Sequence, residues 1–163
     1  MSKLIPVHGG HFAEIDDGDF ELISPLKWHV MKGQNTIYAV TNVRRDGGGY
    51  STVPMHRMIN RTPLGLHTDH IDGNGLNNQR ANLRTATRTQ NARNRAPNKG
   101  AVSAFKGVHW NKRKQRWIAS IRVDKKSIFL GQHKDEASAA EAYARAAEQY
   151  FGEFARASEG QTS

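Results

Sequence analysis

Residues 66–96 form a segment that is rich in Asn, Asp, His and Arg and poor in aliphatic side chains. Such a segment cannot build a large hydrophobic core, because a core depends on buried apolar surface. Its polar residues therefore need a reason other than packing, and the segments on either side must provide the cores. This constraint predicts a polar, function-bearing stretch between two regions that fold around apolar side chains.

Residues 1–60 carry short apolar runs separated by Gly and Asp, a pattern typical of strands joined by tight turns. The stretch from Arg45 to Gly49 reads Arg-Asp-Gly-Gly-Gly and predicts a hairpin turn, because Asp-Gly and Gly-Gly tolerate a positive φ. The predicted strands of this region are 12–15, 28–31, 36–40 and 51–55.

Residues 116–123 alternate between two faces, and together with 105–110 and 127–130 they predict a three-stranded antiparallel sheet. A helix follows, with Asp135 as its N-cap and Gly152 at its C-terminal stop. Its alanine-rich apolar stripe predicts close packing against one face of the sheet. That face carries Trp117, Ala119, Ile121 and Val123.

The interval 97–103 has Pro, Gly and small residues without periodicity, which is typical of a linker. We therefore predict one domain over 1–96, a second over 104–156 and a disordered tail over 157–163. The predicted fold class is α+β. A small β-rich N-terminal region leads into a strand–loop–strand–helix segment, and a three-stranded antiparallel sheet packed on one helix follows.

The net charge of +9 is concentrated in the middle of the chain. Residues 51–103 have 8 basic and 2 acidic side chains and residues 104–134 have 9 and 1, whereas both ends are net acidic. A localised positive field is typical of proteins that bind phosphate backbones. A merely basic surface is the alternative that charge alone leaves open.

The chain has no cysteine, which excludes disulfides, thiol catalysis, iron–sulfur clusters and cysteine-ligated zinc. No apolar run reaches the ~18 residues of a membrane span, and the N-terminus lacks a signal-peptide core. We therefore expect a soluble, intracellular protein that has no membrane partner.

Asp69, His70 and Asn91 are the candidates for chemistry within the polar segment. Hydrolysis of a phosphodiester needs a base that activates water and a cation that spreads the phosphorane charge. Histidine, with an unperturbed pKa of ~6.5, suits the first task. Carboxylate and amide oxygens suit a single Mg²⁺ or Mn²⁺ ion, which is the cofactor that we expect.

Two local patterns bear on how these residues are placed. Thr87 to Gln90 fits a capping box, which predicts a helix that begins near Arg88 and has Asn91 in its first turn. Adjacent residues of a strand point to opposite faces, so Asp69 and His70 need a strand end or a bulge to converge.

Several other polar residues of this region have more than one interpretation. We expect Asp72 to form a turn rather than bind metal, and Asn78 to be a turn or phosphate-contact residue. His67 is expected to be exposed and without a role. For His56 and Arg57 two interpretations stay open: assistance near a scissile phosphate, or a polar strand end that buttresses the site.

The pair Asp69-His70, Asn82 twelve residues after His70 and Asn91 nine further on resembles the ββα-metal motif of the His-Asn-His (HNH) endonucleases. The sequences of residues 55–57 and 69–74 are similar to those of the branch of that family found in phage homing endonucleases. The resemblance implies a motif over about 55–95 with His70 as general base and Asp69 and Asn91 as ligands of one divalent metal ion. It also implies that Asn82 belongs to the catalytic set in a structural role: its side chain bonds across the loop and holds in place the strand that carries the base. Asn91 stands where many members of the family carry a second His.

Residues 104–156 resemble a second family, the Apetala-two or ethylene-response-factor DNA-binding domain. The resemblance is carried by residues 107–110, 116–122 and 130–131. It implies that the three-stranded sheet lies in the major groove of double-stranded DNA, with Arg and Trp side chains on its exposed face. Arginine pairs with guanine at ~1–3 kcal/mol of discrimination, whereas lysine supplies affinity without sequence information. The expected DNA-contacting residues of the whole chain are Arg84, Arg88, Arg93, Arg95, Lys112, Arg113, Lys114, Arg116 and Arg122.

These observations lead to one predicted function and two alternatives. The prediction is a metal-dependent, homing-like DNA endonuclease that nicks one strand, positioned by its C-terminal module and without a small-molecule substrate. We expect a monomer that acts in the cytoplasm of a bacterial host if it is phage-encoded. The alternatives are a sequence-specific DNA-binding regulator with an inactive nuclease motif, and an RNA-binding or RNA-cutting protein, for which an aromatic stacking platform is missing.

Overall fold

The structure is a computed structural model that describes residues 1–94 and 102–155. The chain divides into two compact units, Met1–Asn91 and Ala92–Ser163. Small antiparallel sheets and helices make up the described residues, in agreement with the predicted α+β class. None of the helices within these residues has both the length and the hydropathy that crossing a bilayer requires. Arg95, most of the predicted linker and the predicted tail lie outside the described residues.

The N-terminal unit contains three antiparallel arrangements. A hairpin is formed by β1 (Ser2–Val7) and β2 (His11–Asp16), and a three-stranded sheet by β3 (His29–Lys32), β4 (Ile37–Arg44) and β5 (Tyr50–Pro54). A second hairpin is formed by β6 (His67–His70) and β7 (Leu83–Ala86). The short helices are α1 (Phe20–Ile23), α2 (Met55–Asn60) and α3 (Arg88–Arg93). The predicted strands from 12 to 55 and the 45–49 turn are confirmed, whereas β1, α1 and α2 were not predicted.

One apolar cluster holds the N-terminal unit together. Alternate residues of the first hairpin are buried, with Ile5 on β1 and Ile15 on β2 at 3% and 0% exposure. Helix α2 adds Met55 and Ile59, and the polar segment contributes Leu83, which is 7% exposed. The polar segment is thus held by apolar side chains that lie mostly outside it, as its composition requires.

Helix α2 stands where the sequence analysis expected a strand end around His56 and Arg57. Met55 and Ile59 lie one helical turn apart and both are fully buried. Burial of two apolar residues at i and i+4 favours a helix, so His56 and Arg57 lie on a helix and not at a strand end. The Arg57 guanidinium donates to the carbonyl of Leu66 at 2.8 Å, which ties α2 to the chain that enters β6.

The C-terminal unit has the predicted sheet and helix. Strands β8 (Val108–Asn111), β9 (Arg116–Val123) and β10 (Lys126–His133) are antiparallel, with β9 in the centre. Helix α4 (Glu136–Phe151) packs its alanines and Tyr143 against Ala119 and Ile121. The predicted N-cap is confirmed, because Asp135 accepts from the Ser138 N–H at 2.8 Å. Gly152, with a φ of +53°, ends the helix.

Candidate active site

The hairpin β6–β7 and the helix α3 carry the residues that the motif analysis singled out. Asp69 lies opposite Arg84 in the hairpin, and His70 lies opposite Leu83. His70 is the last residue of β6, so it stands at the strand end that its proposed role requires. The chain between the two strands, residues 71–82, forms a polar loop beside it.

His70 is 5% exposed and belongs to a cluster of three rings. The centroid of the His56 ring lies 4.9 Å from that of His70, at an interplanar angle of 86°. The Tyr38 ring lies 5.8 Å from His70 and 5.3 Å from His56. Because edge-to-face ring pairs have preferred orientations, His56 restricts the orientation of the His70 ring, and the Tyr38 ring packs against both histidines. Tyr38 lies on β4, far from the polar segment in sequence, so the spacing of the motif residues gives no sign of its presence beside His70.

The loop 71–82 packs directly on the N-terminal strands. A Cβ at Gly75 would lie 2.3 Å from the Ile37 carbonyl oxygen and 2.6 Å from the Tyr38 ring, so only glycine fits there. The Asn78 N–H donates to the carbonyl of Glu14, on β2, at 2.7 Å. These contacts fix the loop against β2 and β4, next to His70.

Asn82 and Asp72 close this loop from within. The Asn82 side chain donates to the Asp72 carboxylate at 2.9 Å and to the Asn77 carbonyl at 2.8 Å, and it accepts from the Asp72 N–H at 3.0 Å. The Asp72 carboxylate also accepts from the Asn74 N–H at 2.8 Å, as an Asx turn does. These bonds are what the structural role expected of Asn82 requires, and they support the turn-forming interpretation of Asp72.

Asn78 contacts His70 directly, which the sequence analysis did not predict. Its side chain is 0% exposed, and its Oδ1 lies 3.4 Å from Nε2 of His70. Its Nδ2 donates to the carbonyl of Leu76 at 3.1 Å. In an Asn-rich loop the sequence has no signal that distinguishes this residue from its neighbours.

Asp69 is 4% exposed and forms an ion pair with Arg84. The Arg84 Nε and Nη2 groups donate to Oδ2 of Asp69 at 2.9 and 2.7 Å. The Arg84 side chain is itself only 11% exposed, so the structure places it on the candidate metal ligand rather than on an open DNA-facing surface. A buried carboxylate needs such a partner, which the sequence analysis did not identify.

The capping box that precedes α3 is formed as predicted. Thr87 Oγ1 accepts from the Gln90 N–H at 3.2 Å, and the Gln90 side chain accepts from the Thr87 N–H at 2.8 Å. The Asn91 N–H donates to the Thr87 carbonyl at 3.0 Å, which puts Asn91 in the first turn of the helix. The Asn91 side chain is half-buried.

The candidate metal ligands Asp69 and Asn91 offer a carboxylate and an amide oxygen, the donors that a hard divalent cation prefers. No group of three or more His, Cys, Asp or Glu side chains with metal-binding geometry occurs in residues 1–94 and 102–155. The donor chemistry of a carboxylate and an amide oxygen suits Mg²⁺ or Mn²⁺. Arg84 is the cationic group that such an ion would have to replace or share at Asp69.

Burial controls the protonation of both histidines in the ring cluster. The pKa of His70 is lowered by burial, against the opposing effects of the Asn78 hydrogen bond and the nearby carboxylates of Asp72 and Asp69. Burial, the neighbouring His70 and Arg57 lower the pKa of His56 from 6.5 to about 3. Nδ1 of His56 is also buried without a hydrogen-bond partner among the described residues. At neutral pH both rings are thus neutral, and His70 is in the form that can accept a proton.

We expect acid to destabilise the N-terminal unit through His56. Because its pKa falls from 6.5 to about 3 on folding, the unfolded chain binds a proton below pH 6.5 that the folded chain does not. Protonation of His56 in the unfolded chain therefore lowers the free energy of unfolding as the pH falls below 6.5, by at most about 1.4 kcal/mol per pH unit, and has no effect above that pH. Urea unfolding followed by amide signals of the N-terminal core, from about pH 7.5 to about pH 4.5, measures the slope. His56→Leu is expected to reduce it, and equal slopes in the two proteins would contradict the assignment.

The basic residues expected to contact DNA fall into two groups. Arg84 and Arg93 form the less exposed group. The guanidinium of Arg93 lies 4.4 Å from the centroid of the Phe151 ring, and its side chain is 23% exposed. The exposed group consists of Arg88, Lys112, Arg113, Lys114, Arg116 and Arg122. Most of the exposed group is therefore on the β8–β9 turn and on β9 of the C-terminal unit.

Comparison with known proteins identifies a family match and two viral relatives of this chain. Residues 61–93 match the sequence family described as HNH endonuclease. Protein 3.8 of Escherichia phage T7 is 38% identical over 64 residues, which are 39% of this chain and about half (53%) of the phage protein. A protein of Acanthamoeba polyphaga mimivirus named "Uncharacterized HNH endonuclease L560" is 31% identical over 153 residues, 90% of this chain and 74% of that protein.

Proposed function

The chain belongs to the HNH endonuclease family, and from that premise we propose that it is a metal-dependent DNA endonuclease that nicks one strand of double-stranded DNA. The observation that carries the proposal is the placement of His70. It is a buried, neutral histidine at a strand end, beside a loop that Asn82 closes, within the segment that matches the family. The homing-like character, the monomeric state and the cytoplasm of a bacterial host stay predictions.

In the proposed reaction His70 takes the proton of the attacking water. A neutral imidazole is the competent form of this base, and burial favours that form by lowering the pKa of His70. The His56 ring restricts the orientation of the His70 ring, and the Tyr38 ring packs against both. Asn82 acts at a distance, because its bonds to Asp72 and Asn77 hold the loop that follows His70.

Asp69 and Asn91 are the proposed ligands of one Mg²⁺ or Mn²⁺ ion. Asp69 and Asn91 would hold the ion, which would supply Lewis-acid stabilisation of the charge on the phosphorane and on the leaving 3′-oxygen. Arg84 balances the charge of the Asp69 carboxylate in the structure. It holds that buried carboxylate in a fixed orientation in the absence of a cation.

The C-terminal unit is the proposed DNA-positioning module, similar in its sheet-and-helix order to the Apetala-two family. Lys112, Arg113 and Lys114 lie on the exposed turn between β8 and β9, and Arg116 and Arg122 are exposed on β9. A cluster of exposed cations of this kind supplies affinity for phosphates, and the arginines can also read base edges.

A nicking assay on supercoiled DNA that carries candidate phage sequence tests the function. With Mg²⁺ we expect supercoiled plasmid to become nicked circles, and with EDTA we expect no product, because the leaving oxygen then lacks its cation. Gel retardation of the same DNA in EDTA serves as the control for binding. Cleavage that persists in EDTA would contradict the metal requirement, and preferential cleavage of single-stranded RNA would contradict the choice of substrate.

One observation favours a second candidate, a sequence-specific DNA-binding regulator with an inactive nuclease motif. The carboxylate of Asp69, the proposed metal ligand, is already paired with the guanidinium of Arg84. If the protein retards DNA in the gel and yields no nicked product with Mg²⁺ or Mn²⁺, the regulator is the better description.

A further inference from the structure

We propose that Asn78 is a positioning residue that fixes the tautomer of His70, with the proton on Nε2 and the lone pair on Nδ1. The inference deepens the proposed nuclease function and rests on it for its mechanistic meaning. It assigns Nδ1 as the atom of His70 that takes the proton from water. It also gives a role to a buried asparagine that the motif does not include.

The amide orientation of Asn78 is set by Leu76. Nδ2 of Asn78 donates to the Leu76 carbonyl at 3.1 Å, so the NH₂ group must be on that side. The reversed amide would place two acceptors, the side-chain oxygen and the Leu76 carbonyl oxygen, against each other. Oδ1 of Asn78 is therefore the atom that faces His70.

An amide oxygen accepts hydrogen bonds and cannot donate one, so the ring nitrogen that faces it must carry the hydrogen. That nitrogen is Nε2 of His70, 3.4 Å from Oδ1 of Asn78. A neutral imidazole has one N–H group, so a proton on Nε2 puts the lone pair on Nδ1. The opposite tautomer would set the Nε2 lone pair against the lone pairs of Oδ1 with no hydrogen between them.

Both partners are held in place, so the long hydrogen bond persists. Asn78 is 0% exposed and His70 is 5% exposed, which keeps water from competing for either group. The backbone of Asn78 is tied to β2 through the Glu14 carbonyl, and the His56 ring stands edge-to-face against His70. Rotation of the Asn78 side chain would break its hydrogen bond to the Leu76 carbonyl, and rotation of the His70 side chain would disturb the contact with the His56 ring.

Long-range ¹H–¹⁵N NMR of the full-length, ¹⁵N-histidine-labelled protein at about pH 7.5, where neutral histidine dominates, tests the assignment. The two nitrogens of neutral histidine have well-separated ¹⁵N shifts that depend on which one carries the proton. We expect His70 to show a protonated Nε2 and an unprotonated Nδ1. A His70 spectrum with the proton on Nδ1, or with both tautomers equally populated, overturns the proposal.

Two variants separate the tautomer from general packing. Asn78→Asp keeps an acceptor opposite Nε2 but loses the donor to the Leu76 carbonyl, and wherever its His70 ring is neutral it is expected to retain the Nε2–H tautomer. Asn78→Leu removes the acceptor at similar volume. For Asn78→Leu we expect a mixed tautomer signal and a kcat for nicking about tenfold lower, with KM for DNA unchanged within about twofold. An Asn78→Leu protein with the wild-type tautomer and kcat overturns the proposal. Should this variant fail to fold, the wild-type and Asn78→Asp spectra still decide.

The spectrum also separates this inference from the nuclease function. A wild-type protein that shows the Nε2–H tautomer at His70 but yields no nicked product supports the role of Asn78 in fixing the tautomer and refutes the nuclease. Nicking by a protein whose His70 carries the proton on Nδ1 supports the nuclease function and refutes the role of Asn78 in fixing the tautomer.

Discussion

His70→Ala is expected to lower the rate of plasmid nicking by about 10²–10⁴-fold, the usual contribution of general acid–base catalysis. The size of the effect follows from the site, because no other imidazole in it suits the role of base. The neighbouring His56, with a pKa of about 3, is a far weaker base than His70 needs to be. Initial rates of supercoiled plasmid loss with saturating Mg²⁺ measure the change.

His67→Ala is the matched control for this variant. His67 lies on the same short strand, β6, but it is exposed, so its removal is expected to leave the nicking rate and the gel retardation unchanged. His70→Ala is expected to retard DNA like the wild type, which separates loss of chemistry from loss of binding. Equal nicking by His70→Ala and the wild type would remove His70 from the mechanism.

Gly107→Ala is expected to destabilise the C-terminal unit by about 3 kcal/mol or more, combining overpacking with backbone strain. Gly107 has a φ of +73°, and a Cβ there would lie 2.1 Å from the Tyr143 ring and 2.5 Å from the Ser120 carbonyl oxygen. Tyr143 is 6% exposed in the interior of the unit, so its ring has no open space to enter. The contact between the start of β8, the central strand and α4 would have to open.

Gly152→Ala isolates the backbone part of that effect. Gly152 also has a positive φ, of +53°, but no atom lies within 4 Å of a Cβ built there. Because its φ of +53° and ψ of −129° are disfavoured for a residue with a Cβ, we expect a loss of about 1–3 kcal/mol, in urea unfolding followed by the amide signals of Ala119 and Ile121. DNA retardation should weaken in Gly107→Ala and not in Gly152→Ala. Equal destabilisation by both substitutions would show that the close approach of Tyr143 does not matter.

Local sequence patterns predicted much of the secondary structure. The alternation of 116–123, the capping box at Thr87 and the N-cap at Asp135 all correspond to what the structure shows. These features depend on residues close together in sequence, through side-chain periodicity or short hydrogen bonds to the backbone. Helix α2 was missed because its helical signal is two buried residues, Met55 and Ile59, whose burial depends on the rest of the unit.

The surroundings of the candidate site could be predicted only in part. The motif spacing singled out Asp69, His70, Asn82 and Asn91. It did not show that Arg84 pairs with Asp69, because a cross-strand ion pair depends on the register of β6 against β7. Arg84 was expected to face DNA because the segment is rich in arginine, but the abundance of a residue type does not show which of its copies are exposed.

By itself the sequence determined the strand pattern, the helix caps and a motif whose spacing is that of the HNH endonucleases, since each of these depends on residue type and separation along the chain. Only the tertiary structure decided what surrounds His70: Tyr38 from β4, His56 from α2 and the buried Asn78. These contacts join segments that are distant in sequence. Their pairing follows from which apolar faces pack together and how the loop is fixed between β2 and β4, and no local pattern encodes that.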